Sequence, residues 1–474
     1  MHRAVVIGAG VGGLLAAAAL SVIVDEVIVL DSDDLPTEGP DHRKGLPQGR
    51  HAHLLMAGGL DAMEYLVPVV SIKEELLAAG AREIPLSSGM VTLTPEGWLR
   101  RWNRSSHHSM ITCSRALLDW TVRSSVMLYS SNIEIHKAKA TGLIGSARRV
   151  DAVRTEASGR SSDVHADIVI DATGRGSRIV NWLADLGITG IEETCVDSGL
   201  VNATRIYRTP PGAKHFPLTM VQANPYTGRP GRSAVIVPIE GNRWMVSLAG
   251  TRGGEPPADT EGFLQYTLDL PHPIVGQLIA GADPLTEVVV SRSTSNSRRY
   301  LEKAPAWPDG LVVLGDALAT FNPAYGQGMS VAALGALELR HQFKYGNPTA
   351  PGRAAKAQRA IAQHVETAWS IAVSQDALYA ETRGGQQTAA DRLAARYTRR
   401  LTRAATGSLP AATALWDVSG LKAGPSRLLH PRTLLAVLMG SPLPQLDEPP
   451  LTEGELDVLT ALAPLDGPPS STPA

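Results

Sequence analysis

The run Ala4 to Asp31, AVVIGAGVGGLLAAAALSVIVDEVIVLD, constrains this chain more than any other stretch. Ala4 to Ile7 is a short apolar run that reads as a buried strand. Gly8, Gly10 and Gly13 follow at G-x-G-x-x-G spacing, with Gly12 as an additional glycine in the loop. Leu14 to Leu20 predicts a helix, and Val27 to Leu30 predicts a second strand ending at Asp31. In such a βαβ unit the first glycine makes the tight turn. The second lets backbone amides approach a pyrophosphate, and the third lets helix and strand pack closely. The helix N-terminus presents free N–H groups and partial positive charge to phosphate. Asp31 lies 18 residues after Gly13, where a carboxylate can grip ribose hydroxyls. The motif implies dinucleotide binding but does not separate NAD from FAD.

The same run could be taken for a signal or a membrane span. Asp25 and Glu26 interrupt it, and no A-x-A-like cleavage region follows a basic start. A spanning helix needs about 20 uninterrupted apolar residues, and no other segment offers them. The expectation is a cytoplasmic protein without a membrane span. The two cysteines, Cys113 and Cys195, are isolated, which fits a reducing compartment. The formal net charge of −2 gives no global basic field for nucleic acid or an anionic membrane.

Two further stretches share a strand-then-turn pattern. In ADIVIDATGRGSR, residues 166 to 178, a buried strand ends at Asp171 and a small-residue turn reaches Gly174. Arg175 and Arg178 then lead into a predicted helix over Ile179 to Leu186. In LVVLGDALATFNPAYGQGMS, residues 311 to 330, a strand ends at Gly315-Asp316. Pro323 stiffens the loop, and Gly326, Gln327 and Gly328 open a helix rich in small residues. Its N-terminus would offer positive dipole to whatever lies above the loop.

The three motifs, in this order, resemble the FAD-dependent monooxygenases of the p-hydroxybenzoate hydroxylase type. The resemblance covers residues 1 to 345. It implies that FAD is held by Gly8, Gly10, Gly12, Gly13, Asp31, Asp171, Gly174, Asp316, Pro323, Gly326, Gln327, Gly328 and Met329. It adds Arg43 with its neighbour Lys44, and Arg115 in CSRALLDW, as flavin-side basic residues. One departure stands out. Where the family usually has Asp-Gly, this chain has Asp171-Ala172-Thr173-Gly174, so the electron donor stays open between NAD(P)H used directly and a separate flavin reductase. Segments HRKGLPQGRHAHLL, CSRALLDWTVR, DATGRGSR, AGTRGGEPPADTEGF and WPDGLVVLGDALATFNPAYGQGMS are similar to the bacterial epoxidases of polyether ionophore biosynthesis. That likeness implies epoxidation of C=C bonds in a hydrophobic polyketide, using O₂ and reduced FAD through a flavin C4a-hydroperoxide. Polyketide cyclases that use FAD without net redox, and aromatic hydroxylases, share the scaffold. Flavin halogenases fit less well, because their W-x-W-x-I-P signature is absent. A non-enzymatic FAD-binding module is the alternative from a different class.

The expected fold class is α/β: a discontinuous Rossmann-like FAD domain, an antiparallel sheet for substrate and a helical C-terminal region. The FAD domain is expected over 1–80, 105–190 and 286–345, and the substrate domain over 81–104 and 191–285. Helices are expected over 346–465 and a disordered tail over 466–474. GLVNATRIYRT, SAVIVPIE, RWMVSLAGTR and EVVVSRSTS alternate like strands, with a hairpin turn at Glu240-Gly241-Asn242. Arg392, Arg396, Arg399 and Arg403 recur on one helical face, which reads as a solvated surface.

No nucleophile elbow or H-E-x-x-H motif is present, and no side chain is assigned a catalytic role. An oxygenating flavin needs none, because the cofactor carries the chemistry. An apolar substrate would want a mostly apolar cleft. Trp98, Tyr207, Phe216, Met220 and Trp244 are the candidate substrate contacts among the large residues, with Trp102 and Phe263 also available. The stretch RKGLPQGRHAHLL, residues 43 to 55, raises a metal question through His51 and His53. His107-His108, the next histidine pair, has no ligand spacing, so no metal is expected. The stretch reads instead as a flavin-side loop.

Overall fold

A computed structural model describes residues 2–103 and 108–463. The expected tail over 466–474 and His107 lie outside the described residues. The first sheet is parallel. We label its first strand β1 (Arg3–Ile7), the helix after it α1 (Val11–Leu20) and the second strand β2 (Glu26–Asp31). The strand order is Leu311–Val313, Ile168–Asp171, β1, β2, Ile133–Lys137. Alanines fill α1 and are buried on all sides, so the helix lies inside the core and not on its surface.

The parallel register brings the three motifs together. Ile7 pairs with both Leu30 and Asp171, and Asp171 pairs with Val313. Each motif loop therefore leaves its strand at the same sheet edge, as ligand-binding loops do in open α/β sheets. Three cross-strand bonds fix this edge: Gly8 N–H to Leu30 O at 2.7 Å, Ala172 N–H to Ile7 O at 2.9 Å and Leu314 N–H to Asp171 O at 3.1 Å.

A second, seven-stranded sheet is mostly antiparallel and runs from Val289–Ser291 to Gly97–Trp98. Its central hairpin joins Arg232–Ile239 to Arg243–Gly250. The turn has left-handed Gly241 and Asn242, the residue types that tolerate positive φ. One face of this sheet packs on helices Thr260–Leu268 and Ile274–Ala280 in an apolar core. The C-terminal helices differ in their allegiance. Arg353–Asp376 buries Ile361, Val365 and Trp369 in the same core as the parallel sheet, whereas Ala389–Ala405 and Leu409–Ser419 form their own small cluster. The final helix, Glu453–Leu462, starts with the expected capping box, in which Thr452 and Glu455 satisfy each other's backbone N–H groups. Among the described residues no helix is long and apolar enough to cross a membrane.

Candidate functional site

The site is built on the common edge of the parallel sheet. Gly8 has φ of +106°, and a Cβ there would sit 2.5 Å from Ala172 O. Glycine alone fits such a backbone. A Cβ at Gly10 would meet only the Arg43 guanidinium, at 3.9 Å, so the loop is open on that side. Gly10 caps α1 with no side-chain hydrogen bond, which leaves N–H groups of its first turn for an external acceptor. Gly12 faces Leu314 and Ala332 and is a packing position. Asp31 is half-buried. Its Oδ2 accepts the Ala9 N–H at 2.7 Å, and its Oδ1 accepts from Asp33 N at 2.9 Å.

Arg43 reaches back over this loop. Its Nη1 lies 3.4 Å from both Asp31 Oδ2 and Ala9 O. Its Nε is buried and has no hydrogen-bond partner among the described residues. A buried guanidinium N–H without a partner is costly, and an anionic ligand would satisfy it. Lys44 is exposed. Arg115 is buried at the start of the helix Arg115–Tyr129 and donates from Nε to Asp119 Oδ1 at 2.7 Å. A cavity of about 430 Å³ opens beside this end of the sheet, walled by Asp31, Leu35, Trp120, Arg123 and Lys137. These features form a cradle with the polarity a dinucleotide requires: open helix-start amides, a carboxylate, arginines and a cavity lined in part by Leu35 and Trp120. Arg43→Ala should weaken binding of an anionic dinucleotide such as FAD about tenfold or more, since a hydrogen bond to a charged group contributes roughly 1.5–3 kcal/mol. Flavin fluorescence released on dilution measures it.

The second and third motifs complete the edge. Asp171 is fully buried, and its carboxylate accepts from Thr173 N and Oγ1 at 2.9 and 2.6 Å and from Ser177 Oγ at 2.6 Å. Burial pushes its carboxyl above the usual range, and those three hydrogen bonds pull it back. Its carboxylate organises the turn and does not open onto the cleft. Gly174 has φ of +79° with open space beside its Cα. Arg175 donates to Ser293 Oγ at 3.1 Å and Ser295 O at 2.9 Å. Burial likewise pushes the Asp316 carboxyl up, and the positive charges of Arg175 and Arg115 oppose it. Gly326 is left-handed at φ +64° and packs against Met56 and Leu54. Gln327 caps the helix Gly328–Phe343 without a side-chain bond, and its buried Oε1 has no partner among the described residues. A Cβ at Gly328 would meet only Asp316 Oδ1, at 3.8 Å, so this helix start is also open. Pro323 is exposed, and Met329 packs against the main core.

A buried polar network holds that loop from below. Asp376, at the end of the long C-terminal helix, accepts from Asn296 Nδ2 at 2.6 Å and Tyr325 OH at 2.7 Å. Asn322 Nδ2 donates to both of its oxygens, at 3.0 and 3.1 Å. Asn296 Oδ1 in turn accepts the Asn322 N–H at 2.7 Å. Nothing in the sequence around Asp376 signals this role, because the partners lie 51 to 80 residues away.

The second sheet faces the site with one side only. Trp98, Tyr207, Phe216 and Trp244 sit in the helix-covered core, at 1–6% exposure. The structure thus corrects the expectation for these four: they are packing residues. Phe263 lies in the same core, and Trp102 packs against the C-terminal helices. Met220 is partly exposed on the opposite face, with Met90, Ile206 and Val235. Period-two alternation explains the split: residues of the Trp244 parity face the helices, and Met245, Ser247 and Ala249 face the other way. Leu54 joins this face to the Gly326 loop. Ala52, Leu54, Met90 and Val235 are therefore candidate lining residues absent from the sequence reading. Alternation carried from Trp244 across the hairpin groups Val235 with Ser247, on the parity opposite to Trp244, and the packed helices decide which parity is covered.

The 43–55 stretch links the two sheets. His51 Nδ1 meets Thr204 Oγ1 at 2.9 Å, and Thr204 Oγ1 meets Ser247 Oγ at 2.6 Å. His53 Nδ1 lies 2.8 Å from His51 O. Among the described residues no group of three or more His, Cys, Asp or Glu side chains is placed to hold a metal ion. Burial and the charge of Arg115 hold His53 down at about 3, against an ordinary 6.5. Between those values the unfolded chain takes up a proton that the folded chain refuses. The stability is complete above the ordinary value and falls as pH drops through the window, by about 1.4 kcal/mol per pH unit. Urea midpoints across that window should fall with pH for the wild type and fall less for His53→Gln.

No protein-family model matches the chain. Protein Rv3254 of Mycobacterium tuberculosis is 30% identical over 380 residues, 78% of this chain and 79% of its own length. Among solved structures, the flavin-dependent brominase Bmp2 aligns with a TM-score of 0.61 at 14% identity, over 88% of this chain and 93% of its own. The probable FAD-dependent monooxygenase PqsL of Pseudomonas aeruginosa aligns with a TM-score of 0.57 at 19% identity, over 80% and 97%. A flavoprotein/dehydrogenase from Cytophaga hutchinsonii aligns with a TM-score of 0.64 at 14% identity, over 92% and 98%. The chain belongs to the same family as Protein Rv3254, and its parallel sheet, antiparallel sheet and C-terminal helices have the fold of FAD-dependent monooxygenases and halogenases.

Proposed function

We propose that this chain is an FAD-dependent monooxygenase that epoxidises C=C bonds of a hydrophobic polyketide. The observation that carries the flavin reading is the convergence of three loops on one sheet edge, with open helix starts at Gly10 and Gln327 and an unpaired Arg43 Nε between structured neighbours. Gly8, Gly10, Gly13, Asp31 and Arg43 would hold the adenosine diphosphate half. Asp316 and the backbone of Gln327, Gly328 and Met329 would hold the ribityl and ring half. When bound and reduced, FAD supplies the activation of O₂ and the transfer of one oxygen atom. The chain's own part is to bind, orient and exclude water. The apolar sheet face with Met220, Met90 and Val235, reached past Leu54, suits a substrate without charge. The five segments similar to polyether epoxidases support an alkene as the reacting group. The halogenase neighbours share the fold at 14–15% identity, which carries no halide chemistry to this chain.

The reductant is NAD(P)H, used directly or through a partner flavin reductase. Purified protein should be yellow, and a linear polyene polyketide should gain one atom from ¹⁸O₂ only when reductant is supplied. Conversion of the polyene without O₂ or reductant would replace this reading with that of an FAD-bound cyclase. Hydroxylation of an electron-rich ring in place of the alkene would replace it with that of an aromatic hydroxylase.

A further inference from the structure

We propose that the C-terminal helical layer docks on an anionic lipid surface, through the outer face of the helix Pro431–Met439 and the arginines beside it. That helix buries Thr433 and packs Ala436 and Val437 against the cluster beneath it. Its outer face should then be polar. It is instead Leu434, Leu435, Leu438 and Met439, the last two 84% and 74% exposed. Leu429 before it and Leu443 after it are exposed as well. Isolated exposed leucines are ordinary, but a contiguous patch of this kind marks a contact surface.

Charge selects the occupant. Residues 392 to 446 contain eight Lys and Arg, and one acidic residue, Asp417. Their net charge of +7 stands inside a chain whose total is −2. Asp417 is already engaged by Arg427, and Lys422 pairs with Asp61. Arg396, Arg400, Arg403 and Arg432 are exposed and have no salt bridge among the described residues. Leu393, Arg396, Tyr397 and Arg400 share one flank of the Ala389–Ala405 helix by their spacing. The Tyr397 hydroxyl donates to Leu428 O at 2.5 Å, so this flank adjoins the apolar segment. Exposed leucines rimmed by unpaired arginines, on a helix too short to span, are the pattern of a helix lying in a membrane interface. A second copy of the chain would meet the same +7 across a two-fold contact and be repelled.

The test is flotation of the full-length holoprotein with vesicles. It should float with vesicles of equal parts phosphatidylglycerol and phosphatidylcholine, and at least tenfold less with phosphatidylcholine alone or at high salt. L435S/L438S should lower flotation at least tenfold, and R396E/R400E should lower it severalfold. All four positions are exposed, so bound FAD and thermal midpoint should stay at wild-type values. Absence of flotation by the wild type overturns the proposal, as does flotation of L435S/L438S at wild-type levels. A dimer in sedimentation velocity that L435S/L438S converts to monomer, with no vesicle binding, also overturns it and assigns the face to a second copy. These outcomes do not depend on the oxygenation reading, because flotation is read without substrate.

Discussion

Gly13→Ala should give either no soluble protein or a colourless one, with a loss of about 4 kcal/mol or more in the parallel-sheet core. The reason is local and steric. A Cβ on Gly13 would overlap the Gly8 carbonyl oxygen outright, and Ala172 Cβ closes the third side at 3.4 Å. Gly8 cannot yield, because its N–H is tied to Leu30 O and its own Cα backs onto Ala172 O. The helix cannot yield either, because α1 is buried along almost all its length. Gly12→Ala is the internal control. Its Cβ would meet only side-chain methyls, a terminal one of Leu314 at 3.2 Å and Ala332 Cβ at 3.4 Å, and the gain in helix propensity offsets the crowding to within about 1 kcal/mol. Visible absorbance of the purified protein and urea midpoints read both. Gly13→Ala with full flavin content and an unchanged midpoint would show that the loop geometry described for Gly8 to Gly13 is wrong.

Asp376→Ala should cost about 3 kcal/mol and free the loop from Asn322 to Gly328. Asp376 is buried at 1% exposure, and burial pushes its carboxyl above the ordinary range while its amide and hydroxyl donors counter that. Removing it strands the amides of Asn296 and Asn322 and the Tyr325 hydroxyl, each desolvated and each aimed at the missing group. Burial is the largest cause holding the Tyr325 hydroxyl above its ordinary range, and it persists without Asp376, so Tyr325 cannot compensate by ionising. Asp376→Asn should be nearly as harmful, because an amide NH₂ would face N–H and O–H donors. Denaturation midpoints should fall, and flavin fluorescence should rise as the loop loosens. An Asp376→Asn protein with wild-type midpoint and fluorescence would remove Asp376 from the support of this loop.

Much of the fold could be read from the sequence because its signals are short-range. Ala4 to Asp31 carries its strand, turn and helix within 28 residues, and the alternation of RWMVSLAG needs only its own eight. The capping box at Thr452 and the hairpin at Gly241 are equally local. The candidate site was legible as far as its residues stand inside such motifs. It was not legible where one side chain had to choose between two faces. Trp244 and Met220 are both large and apolar, yet one lies in the core and the other on the opposite face, partly exposed. Which parity points inward depends on where helices Thr260–Leu268 and Ile274–Ala280 pack, and no local pattern contains that.

The sequence alone determined that a strand, a glycine turn, a helix and a second strand would form one unit, because φ preferences and apolar periodicity act over a few residues. It determined the same for the turns at Asp171 and Asp316. Only the tertiary structure decided that these turns meet at one edge, through the register Ile7 to Asp171 to Val313. Only it placed Asp376 beneath the Tyr325 loop and His51 against Thr204, 153 residues away. It also left Leu438 and Met439 facing outward. Contacts between distant segments are set by how whole elements pack, where the free energy is shared over many residues and no single one announces it.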